Sequence, residues 1–189
     1  MHEKRFDPRK LEKLNQPERL KNLPPEYILE RADVKDPKVL VDVGAGTGFF
    51  SVPFAQKFPN SKIFALDISE TMVTWMTDNI LPHYPNIVVN LMNNNQLDLP
   101  DSSVDFLFMI NLHHELDEPL KMLAECKRVL KPGGKIAISD WKREQTDGGP
   151  PLEIRYEIAA VEQELKQTQF QEINSYNELS TNFLVTAMR

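Results

Sequence analysis

Short apolar runs alternate with amphipathic segments along most of the chain. Apolar, often β-branched runs predict seven strands, near residues 39–43, 62–67, 86–91, 104–110, 135–140, 170–176 and 182–188. Helical periodicity predicts four helices after the first strand, near residues 49–57, 70–80, 118–130 and 153–167. Strands that alternate with helices form a mostly parallel sheet with helices on both faces. The pattern therefore predicts an α/β fold with a doubly wound sheet.

The first predicted strand and the turn after it, residues 39–48, are the most informative segment. The strand has the composition of one buried on both faces, and three glycines follow it at alternate positions. Glycine lets the backbone turn tightly and approach a ligand without a Cβ in the way. Phe49 breaks the dinucleotide spacing G-x-G-x-x-G, and Asp42 would repel a diphosphate but suits a cation. The turn therefore favours a cationic nucleoside over a dinucleotide.

Several motifs in fixed order over residues 39–141 resemble those of the class I S-adenosylmethionine-dependent methyltransferases. They are the acid-x-G-x-G-x-G turn at 42–48, the strand that ends in Asp67, Leu99-Pro100, Ser103-Val-Asp105, the loop Asn111-Leu-His-His-Glu115, and the turn Arg128-Val-Leu-Lys-Pro-Gly-Gly134. The resemblance implies a Rossmann-like methyltransferase fold of seven strands, in which the tail supplies an antiparallel closing strand. It also implies methyl transfer from S-adenosylmethionine, with S-adenosylhomocysteine as the product.

The resemblance assigns the cofactor to the loops that follow the first four strands. Asp67 would accept from both ribose hydroxyls. Asn93 stands where the family has an aspartate that accepts from the adenine amino group, and its amide oxygen can still accept, without charge assistance. The predicted cofactor-binding residues are Asp42, Gly44, Ala45, Gly46, Gly48, Asp67, Ile68, Asn93, Asn94 and Asn111.

Methyl transfer requires in-line geometry, exclusion of water and, for a hydroxyl or ammonium nucleophile, removal of a proton. His114 is the first candidate for the general base, because it follows the fourth strand and imidazole titrates near neutral pH. Glu115 would orient or replace it, and His113 is the second candidate. Both histidines could instead pack or hydrogen-bond within the loop.

The residues predicted to bind the acceptor come from this loop, from the end of the fifth strand and from the start of the last predicted helix. They are His113, Asp140, Trp141 and Tyr156. For Asp140 and Trp141, a strand-end cap and an apolar plug are equally good interpretations. The loop after residue 141 contains two glycines and two prolines, and it leaves the carboxyl end of a strand, where ligands of open α/β sheets bind.

With 189 residues and 41% hydrophobic content, the chain is long enough for one core, so a single domain is expected. Residues 1–37 contain five prolines that separate short helices, and we interpret them as an N-terminal helical cap or lid. Residues 38–141 form the predicted cofactor-binding core. Residues 142–189 form the predicted acceptor-side loop, helix and closing strands.

Composition narrows the classes of function. A net charge of −6 disfavours nucleic acid as a partner and favours a small-molecule acceptor. The charged N-terminus and the lack of a long apolar run predict a cytoplasmic protein, monomer or homodimer, without membrane contact. One cysteine excludes a disulfide framework, and no metal is expected. Two alternatives stay open, a non-enzymatic S-adenosylmethionine-binding protein and a nicotinamide-dependent Rossmann oxidoreductase.

Overall fold

The computed structural model describes residues 8–146 and 148–189, so the first seven residues of the predicted cap lie outside the described part. A central sheet contains the strands β1 Val39–Val43, β2 Lys62–Asp67, β3 Ile87–Leu91, β4 Val104–Ile110, β5 Leu130–Trp141, β6 Gln171–Tyr176 and β7 Asn182–Met188. Their order is β3-β2-β1-β4-β5-β7-β6. Strands β1 to β5 run parallel, and β7 pairs antiparallel with β5 and β6. The predicted fold class is therefore confirmed.

Helices cover both faces of this sheet. The described α-helices are α1 Glu18–Asn22, α2 Pro25–Arg31, α3 Ser51–Lys57, α4 Glu70–Asn79, α5 Pro119–Val129 and α6 Ile158–Gln167, with 3-10 helices at Pro8–Asn15, His113–Glu115 and Leu152–Ile154. Helices α2, α3 and α4 contribute to one buried apolar cluster, and α5 and α6 contribute to the other. In the part of the chain that the structure describes, no helix is both long and apolar enough to cross a membrane.

Strand β4 shows how the sheet separates the two clusters. Phe106 and Phe108 belong to the cluster under α3, while Leu107 and Met109 belong to the cluster under α5. This alternation follows from the period of two along a strand. The ring of Phe54 in α3 lies 4.4 Å from the ring of Phe108. Burial of each such side chain contributes about 1.5–3 kcal/mol, so β4 is a rigid base for the loop that follows it.

The strand order reverses between β1 and β4, which lie side by side at the centre of the sheet. Val43 pairs with Met109, so the glycine turn after β1 and the loop after β4 leave the sheet next to each other. In open α/β sheets, ligands bind at such a reversal, outside the carboxyl ends of the strands. The topology therefore brings the two predicted halves of the site to one edge.

Strand β5 begins five residues earlier than predicted, at Leu130 rather than near residue 135. Val104 pairs with Leu130 and Phe106 pairs with Lys135, so β5 contains an irregular stretch of four residues opposite one residue of β4. Gly133, with φ of 79°, accommodates this stretch, whereas the sequence had suggested a turn before the strand. The predicted helices near 49–57 and 153–167 begin later, at Ser51 and Ile158.

Candidate active site

The turn after β1 has the tight backbone that its glycines predicted. Gly44, Gly46 and Gly48 have φ of 69°, 58° and 69°, in the left-handed region that glycine adopts without strain. The amides of Gly44 and Ala45 both donate to Leu66 O, at 2.8 and 2.9 Å. A Cβ on Gly44 would lie 2.6 Å from the Leu112 side chain, which belongs to the loop after β4. The conformation therefore favours glycine here, and a Cβ would also force the Leu112 side chain to move.

Asp67 connects this turn to helix α4. Its Oδ2 accepts from Gly46 N at 2.8 Å and its Oδ1 from Ser69 N at 2.9 Å. Burial raises the pKa of this carboxyl, and hydrogen bonds from Ser69, Gly46 and Ile68 oppose that rise. Asp67 is half-buried, and its carboxylate has about four acceptor sites, so it can still accept a hydroxyl donor beside these backbone amides. The geometry fits a ligand with a vicinal diol, such as a ribose.

Asp42 lies under the turn rather than in the cleft. Its side chain is 2% exposed, and its Oδ2 accepts from Ser51 Oγ at 2.6 Å. Burial raises its pKa to about 7, the Ser51 bond opposes the rise, the charge of Asp67 adds to it, and Arg19 opposes it. Asp42 is therefore bonded inward to α3, and its contact with a cationic ligand stays a prediction.

The described part of the predicted cap covers the glycine turn. Asn15 Oδ1 accepts from Thr47 Oγ1 at 2.7 Å, and a Cβ on Gly46 would lie 3.1 Å from the Leu14 side chain. The Arg19 guanidinium lies over the rings of the two phenylalanines that follow the turn, 5.4 and 5.0 Å from their centroids. Burial lowers the pKa of Arg19 to about 10, against the charge of Asp42. These contacts place the segment on the turn, and its opening as a lid stays a prediction.

His114 and Asp140 form a buried pair at the carboxyl ends of β4 and β5. His114 Nδ1 lies 2.7 Å from Asp140 Oδ1, and the His114 amide donates to Asp140 Oδ2 at 2.9 Å. The two side chains are 5% and 0% exposed. Burial lowers the pKa of His114, but the Asp140 hydrogen bond and the charges of Asp140 and Glu115 outweigh it, so the net shift is upward.

This pairing shows where two of the predicted residues lie, and their roles toward an acceptor stay predictions. Glu115 was expected to orient His114, but its Oε1 lies 3.8 Å from His114 Nε2, beyond hydrogen-bond distance. Asp140 was expected to bind the acceptor, but it also accepts from Trp141 N at 2.7 Å, so both of its oxygens are engaged within the protein. Asp140 is therefore the residue that orients His114.

A second histidine pair lies beside the first. His113 is fully buried, and its Nε2 lies 2.6 Å from Glu164 Oε2 of α6. The His113 Nδ1 is buried and has no hydrogen-bond partner among the described residues. The Tyr156 ring packs edge-on against the imidazole at 4.8 Å. Burial raises the pKa of Tyr156, and the charges of Glu164 and Asp140 raise it further, so Tyr156 lies near both pairs.

The other predicted cofactor residues lie around the same edge. Asn111 has φ of 56°, and its Oδ1 accepts from Asn182 Nδ2 of β7 at 2.7 Å. Asn93 and Asn94 are exposed in a short turn after β3 that Asn93 O closes with Gln96 N at 2.8 Å. Ile68 packs on the apolar cluster under α5. Their contacts with a cofactor stay predictions.

Two residues of this region had no local signal in the sequence. Glu164 lies in the middle of α6 and looks like a surface carboxylate, yet it holds His113. Asn182 begins β7 and bonds Asn111 across 71 residues of chain. Only the order of the strands and helices could have indicated these two contacts, because it brings β7 next to β5 and α6 next to β7.

Comparison with known proteins places this geometry in a family. The family described as "Methyltransferase domain" matches residues 41–138, slightly more than half of the chain. A crystal structure of a SAM dependent methyltransferase from Aquifex aeolicus superposes with a TM-score of 0.90 at 37% identity, covering 97% of this chain and 99% of that one.

Two curated relatives match only over part of their length. Malonyl-[acyl-carrier protein] O-methyltransferase 1 of Ilyobacter polytropus is 30% identical over 78% of this chain and 53% of its own. Ubiquinone/menaquinone biosynthesis C-methyltransferase UbiE of Cupriavidus metallidurans is 26% identical over 70% of this chain and 53% of its own. The chain therefore spans about half the length of these two relatives. Together, the glycine turn, the carboxylate after β2 and the family match show that the chain belongs to the class I S-adenosylmethionine-dependent methyltransferases.

Proposed function

We propose that this protein transfers the methyl group of S-adenosylmethionine in line to a small-molecule acceptor, with His114 as the general base. The observation that carries the proposal is the His114–Asp140 pair, 2.7 Å apart at the carboxyl ends of β4 and β5. A buried carboxylate that fixes one nitrogen of an imidazole is a common arrangement for proton transfer.

The donor side of the proposed site is built from the glycine turn and Asp67. When bound, S-adenosylmethionine supplies a methyl group that its sulfonium already activates. The half-buried backbone of residues 44–46 would lie against it, and Asp67 would accept from the ribose hydroxyls. Ile68, Asn93 and Asn94 would border the adenine, while Asn111 would lie near the methionine end. The described part of the cap, residues 8–37, would exclude water from this side.

The acceptor side would remove a proton. Because Asp140 can only accept, His114 Nδ1 carries the hydrogen of that bond, and the lone pair lies on Nε2. Nε2 would take the proton from the acceptor's hydroxyl, amine or activated C–H group as the methyl group moves. Asp140 and the nearby Glu115 carboxylate would stabilise the resulting imidazolium. His113, Trp141 and Tyr156 would shape the acceptor pocket.

The names of the two curated relatives support a small-molecule or carrier-bound acceptor. One names an oxygen and the other a carbon as the methylated atom, so the acceptor atom does not follow from the family. A net charge of −6 supports the same class, because a nucleic-acid partner needs cationic surface. The family assignment argues against the nicotinamide-dependent oxidoreductase, and it leaves a non-enzymatic binding protein as the alternative.

Calorimetry with S-adenosylhomocysteine tests the donor half of the proposal. We expect binding in the micromolar range or tighter, and we expect Asp67→Ala to abolish it. Asp78→Ala, which changes an exposed carboxylate on α4, should bind like the wild type. No heat with the donor or its product, together with binding of a nicotinamide dinucleotide, would overturn the assignment.

A metabolite panel then tests the enzymatic half. Wild-type protein with S-adenosylmethionine should produce a methylated compound and an equal amount of S-adenosylhomocysteine, both measured by mass spectrometry. His114→Gln should bind the donor normally and form far less product. Tight donor binding without methylated product across the panel would favour the non-enzymatic binding protein.

A further inference from the structure

Arg155 is a buried cation on the acceptor side, and it takes no part in the proposed cofactor binding or proton transfer. It lies between the 3-10 helix Leu152–Ile154 and α6, and it is 6% exposed. A guanidinium taken out of water needs acceptors for its five N–H groups. The positions of these acceptors indicate what the side chain does.

Every described acceptor of Arg155 belongs to the loop that follows β5, which we call the acceptor loop and which comprises residues 142–146 and 148–150. Nε donates to Pro150 O at 2.9 Å, Nη1 to Lys142 O at 3.1 Å, Glu144 O at 2.7 Å and Thr146 Oγ1 at 2.9 Å, and Nη2 to Gly148 O at 2.8 Å. All but one of these acceptors are backbone carbonyls. One side chain therefore fixes the main-chain path of the loop at several points.

The same guanidinium packs on Trp141, the residue between the acceptor loop and Asp140. Its Cζ lies 5.5 Å from the centre of the tryptophan ring. A Cβ on Gly149 would lie 2.8 Å from the ring atoms Cδ2 and Cε3 and 3.0 Å from Arg155 Nη2, so the loop, the guanidinium and the indole are in close contact. Trp141 N donates to Asp140 Oδ1, which also holds His114. The loop, the tryptophan and the His114–Asp140 pair are therefore one connected unit.

Arg155 also contributes charge to this unit. The ionisable groups that act on His114 are Asp140 of β5, Glu115 of its own 3-10 turn, and Arg155. The two carboxylates raise the pKa of His114, and the guanidinium lowers it. Burial lowers the pKa of Arg155 itself, and Asp140 opposes that change. The arginine thus counteracts part of the negative charge around the imidazole.

We propose that Arg155 is a positioning residue of the acceptor side, which holds the acceptor loop closed over Trp141 and keeps a positive charge beside the His114–Asp140 pair. The proposal rests on the proposed function, because it gives the loop its place at the acceptor. If Arg155 only held the loop in place, the charge of Arg155 would not change the pH at which His114 titrates.

Two substitutions separate the hydrogen bonds from the charge. Arg155→Lys keeps the charge but cannot reach all of these acceptors, and Arg155→Met loses both. Trypsin reports the loop, because Arg143 is exposed within it and cleavage there requires local opening. We expect both variants to be cut after Arg143 about tenfold faster or more than the wild type, as mass spectrometry of the fragments would show.

Histidine NMR with isotope-labelled imidazoles reports the charge, with His114 assigned from His114→Gln. His114 should titrate at higher pH in Arg155→Met, because a nearby positive charge has been removed. In Arg155→Lys it should titrate closer to the wild-type pH. Arg128→Lys is the matched control, since Arg128 also donates to several acceptors but lies just before the first residue of β5, at the opposite end from the acceptor loop, and both readouts should stay unchanged.

If both Arg155 variants are cut after Arg143 at the wild-type rate, the proposal that Arg155 holds the acceptor loop closed is overturned. If His114 titrates at the same pH in Arg155→Lys and Arg155→Met, the proposed role of the charge is overturned. If the Arg155 variants fail to fold, Thr146→Val removes one acceptor of Arg155 together with the Thr146 Oγ1 bond to Gly148 O, and an unchanged cleavage rate would overturn the proposal. Calorimetry with S-adenosylhomocysteine on the same samples separates the proposed function from the proposed role of Arg155. Absent binding in the wild type would overturn the proposed function, while the protease and NMR results would still decide the role of Arg155.

Discussion

The donor and acceptor sides of the proposed site are built in different ways. The donor side is mainly backbone, with a turn of three left-handed glycines held by Leu66 O and by the Asp67 carboxylate. The acceptor side is mainly side chains, with His114 on Asp140 and His113 on Glu164. Backbone recognition tolerates few substitutions, because an added Cβ changes the chain path. Side-chain pairs can change one at a time, so the acceptor side is where specificity can vary.

The largest expected effect comes from Gly44→Ala. The new Cβ would meet the Leu112 side chain at 2.6 Å and would sit at φ of 69°, so both packing and backbone are disturbed. We expect loss of measurable S-adenosylhomocysteine binding by calorimetry and a clearly lower unfolding temperature.

Gly133→Ala is the matched control for this substitution. Gly133 has φ of 79°, but a Cβ there would meet nothing within 4 Å. It should cost only about 1–2 kcal/mol of unfolding free energy and leave ligand binding intact. Equal losses in the two variants would mean that backbone strain, and not the fit of the turn against Leu112, limits the donor side.

The next largest effect should come from Asp140→Asn on the acceptor side. The amide cannot hold the same imidazole tautomer or stabilise the imidazolium, so turnover with an acceptor from the panel should fall about 10²–10⁴-fold. S-adenosylhomocysteine affinity should stay within about threefold, because the residue lies outside the donor side.

The pH dependence of the same variant gives a second readout. Asp140 raises the pKa of His114, and the base works only when it is neutral. The acid limb of the rate profile should therefore move to lower pH in Asp140→Asn. An acid limb at the wild-type pH would mean that His114 is not the base.

Asp42→Asn should produce a smaller effect that depends on pH. The carboxyl pKa rises from 3.8 when unfolded to about 7 when folded, because of burial, so stability from the protonated form is present below 3.8 and is lost as pH rises through 7. The asparagine cannot ionise, so relative to wild type the variant should gain unfolding free energy between these pH values, on the order of 4 kcal/mol at most. Denaturant unfolding from pH 4 to pH 8 measures the difference.

An exposed carboxylate provides the comparison for this titration. Asp36 pairs with Lys38 at the surface, and Asp36→Asn should follow the wild-type stability curve. A constant difference between Asp42→Asn and wild type across the pH range would show that Asp42 is ionised in the folded protein at every pH tested.

The smallest expected effect concerns the cap. Asn15→Ala removes the hydrogen bond to Thr47 Oγ1, which is worth about 1 kcal/mol, so S-adenosylhomocysteine should dissociate a few times faster in stopped-flow measurements. Asn22→Ala, at the end of α1, is the control. Identical dissociation rates in both variants would mean that residues 8–15 cover the turn without acting as a lid.

The donor side could be predicted because its geometry is local. Gly44, Gly46 and Gly48 adopt the backbone that their residue type permits, and Asp67 ends the next strand. A linear motif records both features. The same local logic did not show that Asp42 is buried under α3, because this burial depends on how the helix packs. It also misplaced the start of β5, because pairing with β4 begins before the Pro-Gly-Gly stretch.

By itself, the sequence determined the order of strands and helices, the glycine turn and the family to which the chain belongs, since these depend on neighbouring residues and on residue periodicity. Only the tertiary structure decided that Asp140, rather than Glu115, holds His114, that Glu164 holds His113, and that Arg155 holds the acceptor loop. Those partners lie 26, 51 and 11 residues apart in the chain, and no residue pattern specifies which of them meet. Their meeting follows from how β4, β5 and the segment around α6 pack at one edge of the sheet.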